Sequence, residues 1–272
     1  MARKKLIAAN WKMYKTPQQA QDFLCAFLPL VEVHDRDEIV ICPSFVCLPA
    51  VVAALAEHPI GVGAQNLHFE KEGAYTGEVA VGMLIAVGCT HVIIGHSERR
   101  QYFGESDETV NRKLKAALGV GLTPIVCIGE LWQEREAGQS ENVLRRQCRR
   151  GLSGVSGEEA HHLLIAYEPV WAIGTGKTAT PQIAAAAHAV IRHEAAKALG
   201  EEIAENMRIL YGGSVKPENA TALMSENEID GALVGGASLD PKSFAAILKY
   251  QDRIHRVIGS SEITQDLHEV IR

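Results

Sequence analysis

Lys5-Leu6-Ile7-Ala8-Ala9-Asn10-Trp11-Lys12 is the stretch on which the fold turns. Residues 5–9 read as a short buried strand, and the run stops on an amide, an indole and an amine. In an open, doubly wound nucleotide-binding sheet the first strand is followed by Gly-x-Gly-x-x-Gly, whose glycines let backbone approach a phosphate. Asn10-Trp11-Lys12 occupies that place instead, which counts against the open form. Seven more apolar runs follow, at 38–42, 60–64, 91–94, 123–128, 163–167, 208–211 and 231–234. They are nearly continuous rather than alternating, as strands covered on both faces should be. Helical patterns lie between them. Thr16-Pro17, Thr180-Pro181 and Asp240-Pro241 each set a capping side chain before a proline at the first helical position. Lys216-Pro217 is a weaker start of the same kind, and the segment 106–118 runs amphipathic into Gly119, a C-cap glycine. Eight strands, each followed by helix and with no linker between halves, make one parallel α/β domain. That count, and the roughly 250 residues a closed barrel takes, favour a single-domain (β/α)8 barrel over residues 1–250, with 251–272 as an extension.

The polar residues are placed by the same reading. Asn10 and Lys12 follow the first strand, Gln65 and Asn66 the third, His96 the fourth and Glu168 the sixth. Gly212-Gly213-Ser214 follows the seventh and Gly235-Gly236 the eighth. In a closed barrel all fall on the C-terminal rim, where active sites of this architecture are built. Each alone is an ordinary loop residue; their convergence is the signal.

Glu168 ends the apolar run 163–167 and precedes Pro169, which forces it out of helical geometry. Behind it, Val170, Trp171, Ala172 and Ile173 are apolar, while Gly174, Thr175 and Gly176 are expected to supply flexibility and free backbone N–H groups. A loop with an apolar tip has the composition of a lid that closes over a site and excludes water. An ordinary strand-to-helix connection reads equally well from this segment alone. Under a lid, desolvation is expected to raise the Glu168 pKa and suit it to take a carbon-bound proton. His96, if kept neutral, is a donor able to polarise a carbonyl, against the plainer reading of a hydrogen-bonded structural histidine. Lys12 and Asn10 would steady developing negative charge, unless the lysine is simply solvated. The glycine pairs after the last two strands fit a phosphate site made of free backbone N–H groups, or else are tight turns.

Composition narrows the class. The chain has 272 residues, 47% hydrophobic and 22% charged, with a formal charge of -6. That charge argues against a nucleic-acid or acidic-membrane binder, though not against a small anion held locally. The six cysteines contain no C-x-x-C and sit mostly in apolar runs, so buried thiols in a reducing compartment explain them better than disulfides or zinc. The first residues lack a signal-peptide core and no later run is long enough to span a bilayer, so cytoplasm is the default. Several motifs fail on inspection. Gly-Lys-Thr at 176–178 has Trp171 where a P-loop needs glycine, and Gly95-His96-Ser97-Glu98-Arg99 lacks the last glycine of a nucleophile elbow. His161-His162 belongs to the opposite rim, and Arg145-Arg146 with Arg149-Arg150 to the outer face of a helix.

From about residue 4 to 249 the chain resembles the triosephosphate isomerase family, the type TIM barrel. Asn10-Trp11-Lys12-Met13, Gly95-His96-Ser97-Glu98-Arg99-Arg100, and Ala166-Tyr167-Glu168-Pro169-Val170-Trp171-Ala172-Ile173-Gly174-Thr175-Gly176-Lys177 look like its first-strand, fourth-strand and catalytic-lid motifs. Tyr211-Gly212-Gly213-Ser214-Val215 and Leu233-Val234-Gly235-Gly236-Ala237 look like its phosphate turns. The resemblance implies interconversion of dihydroxyacetone phosphate and D-glyceraldehyde 3-phosphate through an enediol(ate), with no cofactor and no metal. By it Glu168 moves the proton, His96 is the electrophile, and Lys12 and Asn10 support charge. Gly174, Ser214, Gly235 and Gly236 hold the phosphate, and Glu98 and Cys127 are supporting residues. The loop 73–78 is similar to a projecting dimer loop whose threonine, here Thr76, reaches a neighbouring subunit, which implies a homodimer.

The departure from the family is the extension. Ile254, Val257 and Ile258, then Ile263, Leu267, Val270 and Ile271, have the spacing expected of one or two short amphipathic helices broken by Gly259-Ser260-Ser261, which would pack on the barrel or on another subunit. A frayed tail is the alternative. Two rival functions share parts of the pattern. Another barrel enzyme acting on a phosphorylated metabolite needs the glycine turns but not Asn10-Trp11-Lys12 or the glutamate with its lid. A non-catalytic scaffold predicts a lost base or lysine, and neither is lost.

Overall fold

A computed structural model of the chain describes residues 3–173 and 178–251. Its strands are β1 (Leu6–Asn10), β2 (Glu38–Cys42), β3 (Ile60–Ala64), β4 (His91–Ile94), β5 (Thr123–Ile128), β6 (Leu164–Tyr167), β7 (Arg208–Tyr211) and β8 (Gly231–Val234). They pair in parallel in chain order and close, β8 returning to β1, so the single-domain barrel is borne out. Only the bounds of β1 and β6 differ from the sequence reading, each by one residue. Closure brings Leu6 opposite both Glu38 and Gly231. A Cβ on Gly231 would stand 1.9 Å from the Leu6 carbonyl oxygen, and its φ is +143°, so only glycine fits where the ring shuts.

Side chains that alternate along a strand face two different cores. Ile7, Ile39, Ile94, Ile165 and Ile209 point outward into the large layer between strands and helices. Leu6, Ala8, Val40, Ile93, Cys127, Leu164, Ala166, Leu210 and Leu233 fill the barrel interior. Each fully buried aliphatic side chain contributes about 1.5–3 kcal/mol, so both layers press the ring closed. The interior is packed solid; chemistry is confined to its ends.

The helices begin where their caps predict. Thr16 caps Pro17–Val31 through a capping box with Gln19, Thr180 accepts from the Ile183 N–H ahead of Pro181–Leu199, and Asp240 accepts from the Ser243 N–H ahead of Pro241–Leu248. Lys216-Pro217 does not start a helix. Asn219 accepts from the Lys216 N–H and donates to the Ser214 carbonyl, which holds those residues in a turn and delays the helix to Ala220–Met224. Gly119 caps Asp107–Leu118 but stays right-handed at φ -61°; the left-handed turn falls to Gly121. His161 and His162 are exposed, as expected. Among the described residues no helix is long and apolar enough to cross a membrane. Of the extension, 252–272 lies outside the described residues.

Candidate active site

The alternation that fills the barrel also aims its mouth. In β1, Leu6 and Ala8 face inward, and two residues on so does Asn10; in β6, Leu164 and Ala166 lead in the same way to Glu168. At the rim this parity supplies function instead of packing. Asn10, Lys12, His96, Glu98, Glu168, Ser214, Gly235 and Gly236 line one cavity of about 450 Å³, together with Tyr14, Ile173 and Leu239.

Glu168 is 2% exposed, so its carboxylate needs partners, and it has three. The His96 Nε2 stands 3.0 Å from Oε1. The Ser97 N–H donates to Oε2 at 2.8 Å and the Ser97 hydroxyl to Oε1 at 3.1 Å. His96 itself caps the helix Ser97–Phe103: its Nδ1 accepts from the Glu98 N–H at 3.2 Å. An Nδ1 committed as acceptor leaves the proton of the neutral ring on Nε2, the nitrogen that faces the cavity and Glu168. The helix start thereby fixes the tautomer.

Burial disfavours charge on both groups, and pushes the Glu168 carboxyl up and the His96 imidazole down. Their mutual attraction and hydrogen bond, with the two Ser97 bonds to Glu168, outweigh that. Glu168 ends below the usual carboxylate range and His96 above the usual imidazole range. The expected rise at Glu168 is therefore reversed here, because desolvation is met by partners that the strand-end position alone does not reveal. The resting geometry also draws His96 toward its protonated form, where a neutral ring was expected.

Lys12 sits at φ +51°, a left-handed conformation unusual for a side chain of this size. Asn10 Oδ1 accepts from its N–H at 3.0 Å, and Gln65 Nε2 donates to the Lys12 and Cys42 carbonyls at 2.9 Å each. This clamp turns the ammonium back over the mouth, where it pairs with Glu98. Asn10 is thus a brace for Lys12 as well as a lining residue. Cys127 lies buried in the interior below the mouth, and burial holds its thiol well up, so it is a neutral packing group.

The glycines divide by what stands beside them. A Cβ on Gly212 would lie 2.9 Å from Glu168 Cγ, one on Gly213 2.3 Å from the Tyr211 hydroxyl, and one on Gly235 3.2 Å from Lys12 Cε. On Gly129 it would overlap the Glu168 carbonyl oxygen at 1.7 Å. These glycines let β5, β7 and β8 close around Glu168 and Lys12. Gly236 is different: among the described residues, its own chain neighbours aside, no atom lies within 4 Å of its would-be Cβ.

Pro169, Val170, Trp171, Ala172 and Ile173 follow Glu168, with a 3-10 turn at Val170–Ala172. Trp171 is buried: its indole N–H donates to Glu130 at 2.8 Å, the Tyr167 hydroxyl donates to the same oxygen at 3.1 Å, and Arg135 stacks on the ring. Gly174, Thr175, Gly176 and Lys177 lie outside the described residues. Loop 73–78 with Thr76 is exposed, and its Tyr75 ring packs on His68 with centroids 4.3 Å apart.

Sequence reading missed Ser97 as the clamp on Glu168 and Glu130 as the anchor of Trp171. The signal for Glu130 was present: it is a carboxylate just past β5, on the same rim as the others. Among the described residues no group of three or more His, Cys, Asp or Glu is disposed to hold a metal ion.

A family model described as triosephosphate isomerase matches residues 5–251. A triosephosphate isomerase of Solibacter usitatus is 57% identical over 248 residues, 91% of this chain and 100% of that protein. One of Geobacter metallireducens is 55% identical over 249 residues, 92% and 99% of the two chains. One of Chloroflexus aurantiacus is 56% identical over 247, covering 90% and 98%.

Proposed function

This chain belongs to the triosephosphate isomerase family, an isomerase that interconverts dihydroxyacetone phosphate and D-glyceraldehyde 3-phosphate in glycolysis, and we propose that Glu168, His96, Lys12 and Asn10 carry its chemistry. The observation that supports this division most directly is the 3.0 Å approach of the His96 Nε2 to a buried carboxylate at the floor of a cavity that also holds Lys12.

Glu168, ionised, takes a proton from the carbon next to the substrate carbonyl. The electron pair of that C–H bond becomes the new carbon–carbon double bond, and the carbonyl oxygen gains the charge. His96 donates to that oxygen through Nε2, and the Lys12 ammonium lowers its potential. Glu168 then returns its proton to the neighbouring carbon, while the proton between the two oxygens moves the other way. For this Glu168 has to part from Ser97 and His96. Desolvation then acts unopposed and raises its pKa, so the base strengthens as it reaches the substrate. Gly235, Gly236 and Ser214 offer N–H groups to the phosphate, with Gly236 leaving open space for it, and Gly174 joins them from the lid over 169–177. Glu98 holds the ammonium in place before substrate arrives, and Cys127 supports the floor.

We propose a homodimer in the cytoplasm. Met13 is 94% exposed and Val46 71%, with Met83 and Tyr102 exposed as well, apolar side chains of the kind that a second copy would cover. Six free cysteines suit a reducing compartment.

A coupled assay run from each triose phosphate tests the roles. Glu168→Asp withdraws the carboxylate by about 1 Å and is expected to lower kcat about 100-fold or more with folding retained. Turnover equal to wild type would remove Glu168 from the role of base.

A further inference from the structure

We propose that Lys15 is a positioning residue for the phosphate site, holding the turn after β8 against the loop that carries Lys12. This deepens the assignment of Gly235 and Gly236 to the substrate phosphate and rests on it. The turn is closed on itself. Its 3-10 segment is Gly236–Leu239, the Ser238 N–H donates to the Gly235 carbonyl at 2.8 Å, and the Ser238 hydroxyl donates to the Gly235 and Val234 carbonyls at 2.7 and 3.0 Å. Residues 235–239 therefore move as one piece. Two side chains of the loop after β1 tie that piece down. The Trp11 indole N–H donates to the Ser238 carbonyl at 3.2 Å, and Lys15 Nζ donates to the Leu239 carbonyl at 2.9 Å. Leu239 itself lines the catalytic cavity.

The backbone of Lys15 is set for that contact. Its φ is +70°, a left-handed conformation that a lysine keeps only where its surroundings impose it. The Cys47 thiol donates to its carbonyl at 3.2 Å, and Thr16, the next residue, caps the helix Pro17–Val31. So turned, the ammonium stands 5.2 Å from the centroid of the Trp11 ring and 4.8 Å from that of Phe23, and the two rings meet edge to face at 4.9 Å. Attraction to the ring faces aims the donor at Leu239. Burial disfavours the ammonium and lowers its pKa, with the Asp240 carboxylate opposing. A partly desolvated cation makes its bond to the carbonyl of the stronger, charge-assisted kind. The same loop carries Lys12, whose Cε would lie 3.2 Å from a Cβ on Gly235. One short loop thus sets both the ammonium at the reacting end of the substrate and the turn at its phosphate end, and so the distance between them.

Steady-state assays on the full chain, with inorganic phosphate as a competing probe, test this. Lys15→Met keeps the stem over the rings and loses the donor. KM and the phosphate inhibition constant should each rise about fivefold, the contribution of one ordinary hydrogen bond, with kcat within about twofold of wild type. Lys15→Arg keeps cation and donor and should return both constants to near wild type. Should the methionine variant misfold, Lys15→Gly removes the donor at a position whose φ suits glycine, and carries the same expectation. Unchanged KM and phosphate inhibition in the folded methionine or glycine variant would overturn the proposal, and so would an equal rise in Lys15→Arg. Gly236→Val, which fills the open space beside that residue, tells this failure from a failure of the phosphate assignment. It raises both constants if the turn binds phosphate, whatever Lys15 does. If it leaves both unchanged, the phosphate assignment is wrong and the role of Lys15 falls with it.

Discussion

Two buried carboxylates, one near each end of the barrel, are bonded almost equally well and yet do different things. Asp230, just before β8, accepts from Arg3 at 2.6 Å, Arg192 at 2.7 Å and the Ile209 N–H at 2.9 Å. Glu168, just after β6, accepts from Ser97 twice and faces His96. The number of contacts is the same; the kind of partner is not. Asp230 is held by two guanidiniums that never lose their charge, and Arg192 is itself tied to the Ala204 and Met207 carbonyls. Glu168 is held by an imidazole that titrates and by neutral donors, and it borders a cavity. One carboxylate is locked in place; the other can let go.

The comparison breaks first at Asp230. Asp230→Ala takes from Arg192, 9% exposed, the buried one of its two carboxylates and leaves it only the more exposed Glu228; removal of one partner from a buried pair costs about 3–5 kcal/mol, and the remaining pair puts the expected loss at the lower end of that range. The midpoint of urea unfolding should fall accordingly, while kcat per folded molecule stays at the wild-type value. A lowered kcat in the folded fraction would show that the two ends are not separable. At the mouth the effect is reversed in kind. Lys12→Met removes the charge opposite Glu98 and should lower kcat about 100- to 1,000-fold, as loss of one oxyanion donor does, with little change in the unfolding midpoint. A large loss of stability there would mean that Lys12 is a structural cation.

The Glu168–His96 contact also predicts a pH window. Glu168 is lowered in the folded state, so its share of stability is present above its unfolded pKa, about 4.3, and is lost as pH falls through the folded value. His96 is raised, so its share is present below its unfolded pKa, about 6.5, and is lost as pH rises through its folded value. The stability difference between wild type and His96→Gln should therefore be greatest between those two unfolded values and shrink on both sides. Denaturant titrations across pH read it directly; a flat difference would show that the two groups do not interact as charges.

Much of this was legible in the chain because parallel strands buried on both faces read as unbroken apolar runs, and the first polar residue after each run marks the rim. That rule finds Asn10, His96 and Glu168 without a structure. It does not find their mutual influence. Ser97 and Glu168 are 71 positions apart, and no local pattern indicates that a helix start will donate twice to that carboxylate. The direction of the Glu168 shift was misjudged for this reason. The Lys216-Pro217 start failed in a similar way, because Asn219 satisfies the backbone locally and so postpones the helix. Gly236 was legible as a glycine but not as different from Gly235, a distinction that depends on which atoms stand nearby.

Glu130 offers the finest test, since it is a buried carboxylate of a third kind. Its Oε1 accepts from both the Tyr167 hydroxyl and the Trp171 indole, so one oxygen ties the end of β6 to the segment that follows Glu168. Glu130→Ala strands both donors and should cost about 1–3 kcal/mol of stability. Because Trp171 is then released from its anchor, KM should change more than kcat. Glu130→Gln keeps a carbonyl oxygen that can accept both bonds and gives up their charge assistance, which weakens such bonds by roughly half, together with the ion pair that Arg135 makes to that oxygen at 3.5 Å. Its effect should stay below about 1 kcal/mol, and its KM near wild type. If the glutamine variant behaves like the alanine one, the negative charge of Glu130 matters beyond its two bonds, and the stacked Arg135 becomes the residue to replace next.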